Sequence, residues 1–216
     1  AETPGGLVVA WFGGTREGHE DVGIWISRKT GTRWSPPVQV ADGVKNNSLR
    51  YPCWNPVLYQ IAGGPLILFY KVGPSPREWW GEKITSLDGG ETWSAPVLLG
   101  NNRIGPLIGP VKNKPILLDD TLLICPSSTE RIENGEVFWQ VHFECSTDLG
   151  KTWEIVGPVN DGIEFDAIQP SLLTYPDGSI QALCRSRQQV PTMSFCSCEP
   201  RCRATYRLMD EICLRA

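Results

Sequence analysis

No run of about 18 apolar residues occurs in the chain, so no membrane-spanning helix is expected. Basic residues are not in excess. Twenty Lys and Arg stand against 24 Asp and Glu, and the net charge of −4 argues against a nucleic-acid surface, which usually needs a basic stripe. The chain opens Ala1-Glu2-Thr3-Pro4, with neither Met nor a basic-then-apolar leader. No targeting signal can be read, the compartment stays open, and processing or fragmentation is expected to have removed the true start. Methionine is scarce at two residues, whereas tryptophan reaches nine. With 18 Pro and 22 Gly to reverse the chain, that mixture suits many short strands joined by turns. Sustained helical periodicity is absent, so helices should be few. A hydrophobic share of 41% and a charged share of 20% describe a globular protein and not a disordered one.

What the chain does have is a repeat. Ser86-Leu87-Asp88-Gly89-Gly90-Glu91-Thr92-Trp93 and Ser146-Thr147-Asp148-Leu149-Gly150-Lys151-Thr152-Trp153 share the pattern S-x-D-x-G-x-T-W, 60 residues apart. A worn copy, Ser27 to Trp34, keeps Ser, Gly31 and Trp but loses Asp and Thr. The octet reads as a turn. Its Asp can accept hydrogen bonds from nearby backbone N–H groups and from the Ser and Thr hydroxyls. Gly90 and Gly150 supply positive φ, and Trp93 and Trp153 carry a large ring onto the next strand. Asp88 and Asp148, with Ser86 and Ser146, are therefore expected to be structural and not catalytic.

The same strand order recurs around each octet. In the second unit Asn55 to Tyr59, Pro65 to Tyr70, Trp80 to Thr85 and Trp93 to Leu98 read as four strands, with the octet between the third and fourth. The third unit repeats this, and Trp139, Val141 and Phe143 show the period of two. Four short strands per 60 residues make one blade of a β-propeller, so the fold expected is all-β, with about three and a half four-stranded blades over residues 1–189. Residues 190–216 break the pattern. Four of the eight cysteines (Cys196, Cys198, Cys202 and Cys213) lie in the last 21 residues, and no octet appears near position 206. That tail is read as non-propeller sequence, disordered or produced by a splice or frame artefact. A thiolate metal site and disulfides remain as alternatives. The other four cysteines look like buried thiols.

These octets resemble the Asp boxes of the sialidase (neuraminidase) superfamily, also called BNR-repeat proteins, over roughly residues 1–189. The segments Phe69-Tyr70-Lys71-Val72-Gly73-Pro74-Ser75-Pro76-Arg77-Glu78-Trp79-Trp80 and Trp11-Phe12-Gly13-Gly14-Thr15-Arg16-Glu17-Gly18 are similar to the bacterial and plant sialidase-like members. The resemblance implies a six-bladed propeller with its active site at one end of the central axis. It further implies three arginines on a substrate carboxylate, a Tyr nucleophile paired with a Glu, and an Asp acid/base. The R-I-P motif that carries the first arginine in proven sialidases is absent here, and the sequence assigns no Tyr–Glu pair. Asp boxes also occur in proteins that are not enzymes.

If the octets mark one face, the loops of the opposite face hold the chemistry. Arg185 and Arg187, two residues apart at a strand end, can point the same way, and guanidinium forks suit a carboxylate. Lys71, Arg77, Lys112 and Lys114 are further candidate ligands of an acidic sugar. Glu130 and Asp166 are the candidate catalytic carboxylates, and His19, Glu17 and Asp21 are further options. Ordinary surface charge is the competing reading for each of them. The function expected is a sialidase-like exo-glycosidase acting on a terminal acidic sugar of a glycan. A non-catalytic glycan-binding propeller and a uronic-acid-directed lyase are the alternatives. No cofactor and no metal are expected, the oligomeric state is open, and this chain by itself is expected to be inactive.

Overall fold

The computed structural model describes residues 1–187 together with the strands Met193–Cys198 and Ala204–Leu208. It is all-β. Among the described residues there is no helix, and therefore none long and apolar enough to cross a membrane. The chain divides into two compact units, Ala1–Lys112 and Asn113–Ala216, and each holds two larger antiparallel sheets.

In the first unit, one sheet runs Glu2–Thr3, Gly6–Gly13 and Gly23–Thr30, with Arg33–Trp34 and Val38–Ala41 both paired to Gly23–Thr30. The next runs Cys53–Gln60, Leu66–Val72, Trp80–Ser86 and Val97–Leu98 in chain order. Val8, Ile24, Ile26, Leu58, Leu66, Leu68, Tyr70 and Ile84 belong to one buried cluster. Each such side chain contributes about 1.5–3 kcal/mol by leaving water. Leu66–Val72 is buried at every position, so its two alternating faces are both covered, and Lys71 is the one charge in an otherwise apolar strand.

In the second unit, the third sheet runs Ile116–Leu118, Leu122–Glu133, Glu136–Ser146 and Glu154–Val156. The fourth runs Ile168–Thr174, Ile180–Arg185, Met193–Cys198 and Ala204–Leu208. Ile124, Val141, Phe143, Ala167, Ile180 and Ala182 pack as its core. Glu130, expected with the other candidates in a loop, lies instead on a strand that continues to Glu133 and reverses at Asn134-Gly135. Both turn residues have positive φ, 52° and 85°, as a two-residue hairpin of the right twist requires. The last two strands of the fourth sheet fall inside the stretch 190–216 that the sequence sets apart. The rest of that stretch lies outside the described residues, as do the side chains on which its metal and disulfide readings depend.

The two complete octets fold alike. Ser86 Oγ donates to Asp88 Oδ1 at 2.7 Å and accepts from Gly90 N at 2.7 Å, while Asp88 accepts from Glu91 N and Thr92 N at 2.9 Å and from Thr92 Oγ1 at 2.5 Å. Ser146, Asp148, Gly150, Lys151 and Thr152 repeat every one of these contacts within 0.2 Å. Gly90 and Gly150 sit at φ 89° and 86°. The worn octet folds differently. Ser94 N closes its loop on Thr85 O, but Ser35 N closes on Arg28 O, two residues sooner. The shorter loop has no place for the Asp, and Thr30 pairs with Arg33 around a tight turn instead.

Cys53, Cys125 and Cys145 are buried, Cys184 is half-buried, and no disulfide joins them. Burial pushes the Cys53 and Cys184 thiols up to about 12, with the Glu82 carboxylate adding to the effect at Cys53.

Candidate functional site

At the octet end of the sheets the carboxylates are spent. Hydrogen bonds from Thr92, Ser86 and Glu91 hold Asp88 far below the ordinary carboxylate range, and Thr152, Ser146 and Lys151 do the same for Asp148. Each has its acceptor sites filled by its own loop, which leaves nothing with which to bind or protonate a ligand.

The opposite end of the first unit carries two polar clusters. In the Gly13–Val22 loop, Asp21 accepts from Thr15 N at 3.0 Å, Thr15 Oγ1 at 2.6 Å and His19 Nδ1 at 2.7 Å. The Thr15 bonds hold its carboxyl down at about 2, so Asp21 is an anion that ties the loop together. Arg50 reaches the Asp21 carbonyl at 3.2 Å. The second cluster centres on buried Glu82, which receives Lys45 Nζ at 2.5 Å, Trp80 Nε1 at 2.9 Å and Tyr70 OH at 3.0 Å. This is a Tyr–Glu pair, but it has the wrong character for a nucleophile. Tyr70 is fully buried, and burial together with the adjacent Glu82 charge drives its hydroxyl well above the ordinary tyrosine value. Lys71 is equally withdrawn. Its side chain is fully buried and its ammonium donates to the Pro110 carbonyl. Arg77 and Lys112 are exposed in this unit, and Lys114 is exposed in the other. None of these three side chains makes an ion pair or hydrogen bond among the described residues.

The second unit gathers the remaining candidates. Glu130 lies directly across from Trp139 in the hairpin, so both side chains leave the same face of the sheet. Val141 and Phe143 continue that face into the core shared with Ile180 and Ala182 of the fourth sheet. The Trp139 ring is the platform for both arginines, with Arg185 Cζ 5.3 Å and Arg187 Cζ 4.8 Å from its centroid. Beyond this shared platform the two arginines differ. Arg187 is fixed: its Nε donates to Asp166 Oδ2 at 2.5 Å, its Nη2 pairs with the same oxygen and reaches Val137 O at 2.7 Å, and its backbone N meets Asp166 Oδ1 at 3.2 Å. Asp166 is buried and is consumed in holding Arg187. Arg185 is exposed, and its guanidinium has no hydrogen bond or ion pair among the described residues.

Three supporting groups were not singled out from sequence. Trp139 reads there only as an alternating strand residue, and nothing there marks Ser128 or Gln169. Ser128 Oγ accepts from Gln169 N at 3.1 Å, tying the third sheet to the fourth beside the arginines. The signal that places Ser128 and Glu130 on a strand is Asn134-Gly135, the strongest short hairpin dipeptide. Glu130 is half-buried with no side-chain partner among the described residues. Arg131 beside it is engaged by Gln140 and, at 3.7 Å, by Glu133.

The family described as BNR repeat-like domain matches residues 5–204. No curated protein sequence matches the chain. Among solved structures, a protein of unknown function from Dyadobacter fermentans superposes with a TM-score of 0.66 at 15% identity, covering 88% of this chain and 61% of that one. The GH93 α-L-arabinofuranosidase of Fusarium graminearum, solved with arabinobiose, superposes with a TM-score of 0.54 at 16% identity, over 88% of this chain and 55% of its own. The NanB sialidase from Streptococcus pneumoniae gives a TM-score of 0.44 at 16% identity, over 76% and 24%. The chain thus spans roughly three fifths of the first structure's length and little more than half of the second's. With the family match covering nearly the whole chain and two octets folded alike, the chain belongs to the BNR repeat-like domain family.

Proposed function

We propose that the protein is a sialidase-like exo-glycosidase that removes a terminal acidic sugar from a glycan, with the four-stranded sheets serving as consecutive blades of a β-propeller. The observation that carries this reading is Arg185, an exposed guanidinium stacked on Trp139 with no anion beside it among the described residues. A guanidinium so placed, next to a second one already locked by Asp166, suits a substrate carboxylate that accepts two parallel hydrogen bonds. Arg187 adds positive field, and Asp166 acts as its positioning residue. Glu130, on the same face as Trp139, is the carboxylate left to exchange a proton with the glycosidic oxygen. Lys71, buried on Pro110, is assigned to holding the fold, and Arg77, Lys112 and Lys114 to surface charge.

One observation favours the non-catalytic alternative. Asp166 is already spent on Arg187, which leaves Glu130 without a second carboxylate placed beside it among the described residues. The test uses the full-length protein with a fluorogenic sialoside and a fluorogenic glucuronide. Release of the reporter, reduced about 100-fold or more in kcat/KM by Arg185→Ala and restored in part by Arg185→Lys, is the expected result. Loss of a hydrogen-bonded charge from a ligand costs 2–5 kcal/mol, which spans that factor. Sugar binding on a glycan array without turnover would convert the reading to a lectin-like propeller. An unsaturated product from the glucuronide would convert it to a lyase.

A further inference from the structure

Three of the sequence repeats open their first long strand, or the segment leading to it, with the same local shape: Trp54-Asn55-Pro56, Ile108-Gly109-Pro110 and Ile168-Gln169-Pro170. In each the middle residue is left-handed, at φ 41°, 67° and 57°. Sterics steer a residue before proline towards extended conformations, and an L side chain resists this region on its own account. Glycine enters it freely, and Gly109 is the version of the repeat that does so. The strand register also slips at this point, between Trp54 and Val57 and between Ile168 and Ser171, a bulge of the kind that re-aims a side chain.

At Gln169 the main chain is clamped on both sides. Its N–H donates to Ser128 Oγ at 3.1 Å, and its carbonyl accepts from Asn113 Nδ2 at 2.9 Å, which also donates to Pro170 O at 3.0 Å. Its side-chain amide is a different matter. It is half-buried, lies next in sequence to Ile168, which pairs directly with Arg185, and has no partner among the described residues. The backbone conformation needs no glutamine there, since glycine would hold it with less strain and every clamping bond would remain.

We infer that Gln169 is a ligand-reading residue whose side-chain amide hydrogen-bonds a hydroxyl or acylamino group of the same acidic sugar that Arg185 holds by its carboxylate. An amide offers two donors and an acceptor on one rigid plane, which matches a vicinal pair of sugar hydroxyls. This inference rests on the acidic-sugar reading of Arg185, and Gln169 would set which acidic sugar fits.

The experiment compares wild type, Q169G, Q169N and R185A by thermal melting and by calorimetric titration with two probes, the methyl glycosides of N-acetylneuraminic acid and of glucuronic acid. Q169G is expected to melt at or above the wild-type temperature, because strain is released and the clamp is kept. Its Kd for the preferred probe is expected to rise tenfold or more, and Q169N is expected to recover part of the loss. Q169G that binds as wild type does, alongside R185A that binds poorly, overturns the inference and leaves the site reading intact. R185A that binds as wild type does, or wild type that binds neither probe, overturns the site reading and this inference with it.

Discussion

The two ends of the sheets treat the same chemical groups in opposite ways. At the octet end, Asp88 and Asp148 are each saturated by their own loop, and the two loops match contact for contact. At the other end the sheets do not repeat one another. The second sheet carries both a buried lysine on a carbonyl and a tyrosine–glutamate–lysine cluster, whereas the third and fourth bring an arginine pair onto a tryptophan. A turn that closes on itself can be copied from unit to unit, because all its partners lie within five residues. Groups at the other end find partners across strands and sheets, so each unit solves its own packing, and unspent capacity such as the Arg185 fork collects there.

The sharpest break of this comparison is Lys71→Ala. It strips a buried stem and leaves the Pro110 carbonyl without its donor, so stability should fall by about 3–5 kcal/mol in chemical denaturation. A loss below about 1 kcal/mol would mean that Lys71 is not a structural group. Asp88→Ala comes next. It should lower the melting temperature by several degrees while sugar affinity stays as in wild type, since the loop is remote from Arg185 in the chain and self-contained. A drop in affinity at unchanged melting temperature would contradict the division between the two ends. Tyr70→Phe should cost only about 1 kcal/mol, because Glu82 keeps its bonds from Lys45 and Trp80, and turnover should not change. Abolished turnover in a folded Tyr70→Phe protein would reinstate Tyr70 as a nucleophile.

The smallest effect is in pH. Asp21, Asp88 and Asp148 are all depressed in the folded state from an ordinary value of 3.8. A depressed carboxyl contributes stability that is fully present above its unfolded value and is lost as pH falls through the folded one. Stability should therefore hold above pH 4 and decline from there towards pH 2, where Asp21 titrates at about 2. The double variant Asp88→Asn, Asp148→Asn should flatten that decline in acid melts, and an unchanged slope would remove these turns as its cause.

Much of the site was hidden from sequence for reasons that these residues make plain. Arg185 and Arg187 were readable as a pair, but the assignment of one to Asp166 depends on a partner 21 residues upstream that folding brings within 2.5 Å. Lys71 looked like a loop cation because its neighbours Gly73 and Pro74 signal a turn. Its true state was indicated by Leu66 to Tyr70, an unbroken apolar run that is covered on both faces. The worn octet at Ser27 could be matched letter by letter, yet a loop shorter by two residues takes a different shape. The strain at Gln169 had no signal beyond its proline, since the left-handed φ comes from a bulge that only the register between strands defines.

By itself the sequence determined the all-β class, the repeat and the turn chemistry of Asp88 and Asp148, because strand alternation and the octet are short-range physics encoded in adjacent residues. Only the tertiary structure decided which charges are spent and which are free. A charge is neutralised by whatever lies within a few ångströms of it, and for Lys71, Tyr70, Asp166 and Arg187 that neighbour comes from elsewhere in the chain.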